Sequence, residues 1–195
     1  MAHVAIVYHS GYGHTKKQAE AVQAGALSGG ATVDLLKADD LTDSESGPWE
    51  TLEKADAIIF GSPTYMGSVS GIFESFADAT SKVWFDGKWK DKLAAGFSCS
   101  SSLHGDKSGA LIRMVTLACQ HSMIWVSLGL PPGKPEHPSD DAGNLNRLGF
   151  YMGAGAQAGN VPPEEEPMAS DLATAEHLGH RVAEIAARHV KGATS

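Results

Sequence analysis

At 195 residues and 20.4 kDa, the chain has the length of one ordinary domain and enough residues to close over a single sizeable core. Its 15 Lys and Arg against 23 Asp and Glu leave a formal charge of −8, which argues against the broad cationic face that nucleic-acid phosphates require. Hydrophobic residues at 42% make a globular chain, and 22 Gly with 9 Pro make a loop-rich one.

The first apolar run, Val4 to Tyr8, reads as a strand that starts almost at once. Without a basic region and a long apolar stretch, this N-terminus is not expected to be a secretory signal. A polar loop, Ser10-Gly11-Tyr12-Gly13-His14-Thr15, follows it. A helix comes next, with Ala19, Val22, Ala26 and Leu27 on one face. Thr32 to Leu36 is a second strand, Lys37 to Asp56 a connection, and Ala57 to Phe60 a third strand. The next loop is Gly61-Ser62-Pro63-Thr64-Tyr65-Met66-Gly67, with Phe73, Phe76 and Ala77 marking a helix after it. Leu93 to Phe97 forms a fourth strand, Ser98 to Gly105 a third polar loop, and Leu111, Val115 and Ala118 another helical face.

Met123 to Val126 is the fifth strand. The uncharged stretch Met114 to Gly133 is broken by Gln120, His121, Ser122 and the Pro131-Pro132 pair, so no membrane span is expected there. Glycines at 143, 149, 153, 155 and 159 mark a long connection suited to covering a site or an interface. The acidic stretch Pro162 to Pro167 reads as a solvated link to a closing helix that carries Leu172, Leu178, Val182 and Ile185.

Strands alternating with helices predict one α/β domain over residues 1–195, built on a five-stranded parallel sheet with helices on both faces. In such a sheet all strand C-termini lie on one edge, so the three polar loops should meet there. The first runs from a buried strand into a helix, where open backbone N–H groups and the Ser10 and Thr15 hydroxyls suit a phosphate. It is neither a Walker A loop nor a dinucleotide fingerprint, and a plain glycine-rich turn is the competing reading. In the other two loops, Tyr65 and Met66 suit a flat ring and Ser100 to Ser102 its polar edge; a loop aromatic and a flexible serine turn are the alternatives.

Other chemistry has little to stand on. The serines in Gly67-Ser68-Val69-Ser70-Gly71 are misplaced for a nucleophile elbow. His177, His180 and Glu184 share a helix without a further clear ligand, so a solvated face is expected and no metal. Cys99 and Cys119 are too few for a disulfide scaffold and lack metal-ligand spacing, which fits a reducing, cytoplasmic setting.

At these residues the sequence resembles the flavodoxin-like superfamily, and within it the NAD(P)H:quinone oxidoreductases of tryptophan-repressor-binding-protein type. Ser-x-Tyr-Gly-His at 10 to 14 is the most specific match. Gly61 to Gly67, Phe76 with Asp78 and Trp84, Ser98 to Gly105, and Gln120-His121-Ser122-Met123 continue in the family's order, so the resemblance spans most of the chain. It implies strand order 2-1-3-4-5, FMN as cofactor, NAD(P)H as electron donor, a quinone acceptor and a homodimer or homotetramer. Residues 10 to 15 would hold the FMN phosphate, while Pro63, Thr64, Tyr65, Met66 and Gly67 would flank the isoalloxazine. Cys99, Ser100, Ser101, Ser102, Leu103 and His104 would meet its pyrimidine edge.

Tyr12 and Trp84 would line the substrate side. His104 would hand a proton to the quinone oxygen or only shape its loop. His121 matches a family histidine near the flavin, but it precedes the fifth strand at the opposite sheet edge and would reach flavin only from a neighbouring subunit. The chain departs from the subfamily in its shorter Lys37 to Asp56 connection, where an insertion usually helps to build the tetramer. It also has Tyr65-Met66 in place of the more usual Arg-Phe. NADPH-dependent FMN reductases and non-enzymatic flavodoxin-type carriers are the neighbouring readings.

Overall fold

Successive residues of a strand face opposite ways, so a strand that is apolar throughout must be covered on both sides. The structure, a computed structural model, describes residues 1–134, 136–138 and 140–193. Its elements are β1 (His3–Tyr8), α1 (His14–Ser28), β2 (Thr32–Lys37), a 3-10 turn (Ala38–Leu41), α2 (Trp49–Lys54), β3 (Ala57–Tyr65), β4 (Ser68–Val69) and α3 (Gly71–Ala79). They continue with α4 (Ser81–Phe85), β5 (Leu93–Ser100), α5 (Lys107–Gln120), β6 (Ile124–Trp125), β7 (Ala154–Gln157) and α6 (Ala169–Ala193).

The parallel sheet runs β2-β1-β3-β5-β6, which is the expected order 2-1-3-4-5 once the short hairpin strand β4 is counted separately. Val4, Ile6 and Ile59 face α1 and α6, where they join Val22, Ala26, Leu178 and Val182 in one core. Ala5, Val7, Ile58 and Phe60 face the other way, against Phe73 and Phe76 of α3 and Leu111 and Met114 of α5. Each such large side chain taken fully out of water contributes ~1.5–3 kcal/mol, which is why both strand faces must be apolar. Among the described residues, no helix is long and apolar enough to cross a membrane.

Several elements differ from the expectation. Gly61 to Tyr65 and Ser98 to Ser100 are strand rather than loop: Gly61 pairs with Phe97, Ser62 with Ser98 and Pro63 with Cys99. The proline is tolerated because the first strand has already ended beside Gly61, leaving no ladder for its missing N–H. Helices α2 and α4, too short to show a clear apolar period, fill connections that read as irregular.

The fifth strand is split. Only Ile124 and Trp125 pair with the start of β5, at Leu93 and Ala94; the chain then leaves the sheet and returns as β7, whose Ala154 to Gln157 pair with Phe97 to Ser100. Small residues gave β7 no sequence signal. Its pairing extends the fifth position to the sheet edge where the polar loops lie.

Candidate functional site

A cavity of about 490 Å³ opens at the C-terminal ends of β1, β3 and β5. Gly11, Tyr12, His14 and Thr15 line one wall, Pro63, Thr64 and Tyr65 a second, and Cys99, Ser100 and Ser101 a third. The structure therefore brings all three polar segments together. A fourth wall, Ala158 to Val161, comes from the glycine-rich connection after β7.

The first wall is shaped by the start of α1. Ser10 Oγ accepts from the Gly13 and Lys16 N–H groups, each at 3.1 Å, and Gly13 takes a left-handed φ of 95° that a side chain would resist. Those bonds leave the N–H groups of Tyr12, His14 and Thr15 without an acceptor among the described residues. Open N–H groups at the positive end of a helix form an anion cradle. His14 Nε2 donates to the Val161 carbonyl at 2.8 Å and so ties the first wall to the fourth.

On the second wall, Ser98 Oγ donates its one hydrogen to the Ser62 carbonyl at 2.8 Å, which makes Thr64 Oγ1 the donor in its 2.8 Å bond to Ser98. Met66 and Gly67, with φ of 49° and 82°, form the two-residue turn that joins β3 to β4. Met66 is fully exposed at that turn, whereas Tyr65 and Tyr12 meet edge to face, with centroids 6.5 Å apart. On the third wall, burial pushes the Cys99 thiol up to about 12, so at neutral pH it is neither nucleophile nor anion.

Other expected residues stand apart. Ser102, Leu103 and His104 are exposed and do not line the cavity; His104 packs on Phe150 and its Nδ1 accepts from the Asp106 N–H. Trp84 and His121 line a second cavity of about 310 Å³ together with Asp78, Arg113 and Gln120. His121 is buried, donating Nε2–H to Thr80 Oγ1 at 2.8 Å and lying 4.5 Å between centroids from Trp89. Desolvation lowers it to about 4, so its ring is neutral at physiological pH.

The residues that sequence reasoning missed lie mainly on the fourth wall. Pro163 packs on Gly13 and Glu166 accepts from the Gly159 N–H at 2.5 Å, so the acidic link is in part a structural clasp. Lys107, at the head of α5, was also missed, and its position behind the third wall had no sequence signal. On α6, the His177 ring bonds the Leu128 carbonyl, and no three His, Cys, Asp or Glu among the described residues are grouped to hold a metal.

Comparison with known proteins points in one direction. Residues 9–127 match the family model described as NADPH-dependent FMN reductase. A flavodoxin from Pseudomonas aeruginosa, FldP, is 43% identical over 185 residues, covering 95% of this chain and 97% of its own. An NAD(P)H dehydrogenase (quinone) from Archaeoglobus fulgidus is 35% identical over 205 residues, covering 95% and 98%. The crystal structure of a flavodoxin, WrbA-like protein from Agrobacterium tumefaciens superposes with a TM-score of 0.74 at 41% identity, covering 97% of this chain and 99% of that one.

Proposed function

This chain belongs to the NADPH-dependent FMN reductase family, and we propose that it is an FMN-dependent oxidoreductase that moves electrons from NAD(P)H to a quinone. FMN, when bound, accepts a hydride from the nicotinamide and passes two electrons to the acceptor. The observation that carries this reading is the cavity itself, where an anion cradle on α1 and two hydroxyl-bearing strand ends converge. The residues fit the group: the open N–H groups of Tyr12, His14 and Thr15 suit its phosphate.

In this reading Tyr12, His14 and Thr15 bind the phosphate, with Ser10 and Gly13 shaping that turn. Pro63, Thr64 and Tyr65 hold one side of the isoalloxazine, near the turn at Met66 and Gly67. Cys99, Ser100 and Ser101 meet its pyrimidine edge through backbone donors, which strengthen as negative charge builds there. Tyr12 is exposed and free to stack on the nicotinamide or the quinone.

We assign His104 the proton for the acceptor oxygen, delivered from the rim beside Ser102 and Leu103. Trp84 and His121 share the second cavity, so Trp84 would face substrate only across a subunit boundary, and His121 would act there by shaping that surface. That arrangement supports a homodimer or homotetramer. The whole chain, 1–195, acts as one flavodoxin-like unit. The two unpaired cysteines suit a reducing cytoplasm.

The test is direct. Protein reconstituted with FMN should oxidise NADH or NADPH in a benzoquinone-dependent manner, followed by nicotinamide absorbance. Bound FMN without quinone-dependent turnover would instead establish the second reading, a flavodoxin-type carrier, which the 43% identity to FldP favours. An acidic surface of formal charge −8 suits basic protein partners in that case.

A further inference from the structure

Lys107 is fully buried, an unusual place for an ammonium. Its Nζ donates to Ser100 Oγ at 2.8 Å and to the Ser102 carbonyl at 2.9 Å, and lies 5.5 Å from the centre of the Phe150 ring. No ion pair neutralises it among the described residues. Asp171 of α6, the carboxylate whose field it feels, is already bound by Arg147 at 2.7 and 2.8 Å. The residue is also the first of α5, where the helix end is itself positive.

Burial and that helix end both disfavour the charge, and desolvation lowers Lys107 to about 8. A buried, uncompensated cation calls for an anion that arrives later. Ser100, its hydrogen-bond partner, lines the cavity on the side assigned to the pyrimidine edge. Cys99 cannot supply the charge, since its thiol stays protonated far above neutral pH.

We propose that Lys107 is a positioning residue that acts through Ser100 and Ser102 to favour the reduced over the oxidised form of bound FMN. The inference rests on the FMN reading above. In the hydride step a nicotinamide C–H bond breaks and an N–H bond forms on the isoalloxazine. The electron pair travels with the hydrogen, leaving the nicotinamide oxidised and the flavin ring one unit more negative. No further proton or reductant is needed. The charge left on the pyrimidine edge is the anion that Lys107 lacks, so binding is tightened more in the reduced state.

The experiment measures dissociation constants for oxidised and dithionite-reduced FMN in wild type, Lys107→Met and Lys107→Arg at pH 7. The Met variant should lose about tenfold in its preference for reduced FMN, a fall of ~30 mV in the two-electron potential. The Arg variant should retain most of that preference. A lysine that merely braces the loop would weaken both forms equally, and an unchanged ratio in a Met variant that binds oxidised FMN overturns the proposal. Wild type alone carries the test if the Met variant does not fold: its preference for reduced FMN should decline between pH 7 and 9.5 as Lys107 loses its proton. A flat ratio overturns the proposal.

The groups facing Lys107 are Cys99 on β5, Asp171 on α6 and Arg147 in the excursion before β7. Cys99 holds its proton through this range, while burial raises the Asp171 carboxyl and its ion pair with Arg147 opposes that rise. Wild type that binds no FMN in either state would overturn the FMN reading as well; normal FMN binding with an unmoved ratio overturns only the role of Lys107.

Discussion

The Tyr65 hydroxyl stands over Gly11 where a β-carbon on that residue would be. One residue comes from the end of β3 and the other from the turn into α1, so the contact joins two walls of the cavity. Gly11→Ala should therefore push the phenol aside, not unfold the chain, because the obstructing atom is the far end of a side chain. The expected result is a melting temperature within a few degrees of wild type and about a tenfold loss of FMN affinity, ~1.4 kcal/mol, measured by quenching of FMN fluorescence.

Ser10 accepts two backbone N–H groups at the start of α1. Ser10→Ala leaves both without that partner and should cost ~1 kcal/mol of stability, the usual loss for a helix-start acceptor. Urea denaturation of the FMN-free protein measures it. Ser10→Asp should recover most of the stability, because a carboxylate also accepts at a helix start, but should repel the phosphate and weaken FMN binding further than Ala does.

Gly25 of α1 lies against the Glu176 carbonyl and Gly179 of α6 against the Val22 carbonyl, so the two helices touch backbone to backbone. A methyl group at either position meets peptide atoms that cannot swing away. Gly25→Ala and Gly179→Ala should each cost ~1–3 kcal/mol despite the better helix propensity of alanine. A thermal melt at or above the wild-type midpoint would show that the helices separate at little cost.

His121 titrates at about 4 when folded, against an ordinary imidazole near 6.5. Between those values the unfolded chain binds more protons than the folded one, so stability is fully present above the unfolded value and is lost as pH falls toward the folded one. One such group contributes a slope approaching ~1.4 kcal/mol per pH unit. His121→Gln keeps a donor for Thr80 and cannot titrate, so its unfolding free energy should fall less steeply between pH 6.5 and 4. Parallel pH profiles for the two proteins would show that the ring is not held neutral by burial.

Much of the architecture was legible in the chain because continuous apolar runs separated by helical faces admit few arrangements. Val4 to Tyr8 must be buried on both sides, and a parallel sheet must then carry its connecting loops on one edge. That reasoning reached the three walls containing Tyr12, Thr64 and Ser100. Periodicity did not show that Gly61 to Tyr65 is strand, since Gly, Ser, Pro and Thr read locally as a turn; only pairing with β5 overrides that preference.

The sequence by itself determined the layering, the strand order that its resemblance implied and the edge where polar segments collect, because side-chain periodicity and crossover handedness act over short stretches of chain. Only the tertiary structure decided that β7 returns to complete the fifth position and that Ala158 to Val161 wall the cavity. It alone set His104 outside that cavity and Lys107 behind it. A strand of small residues is defined by its partner, and a lysine is buried by what folds over it. Neither condition exists until distant parts of the chain have met.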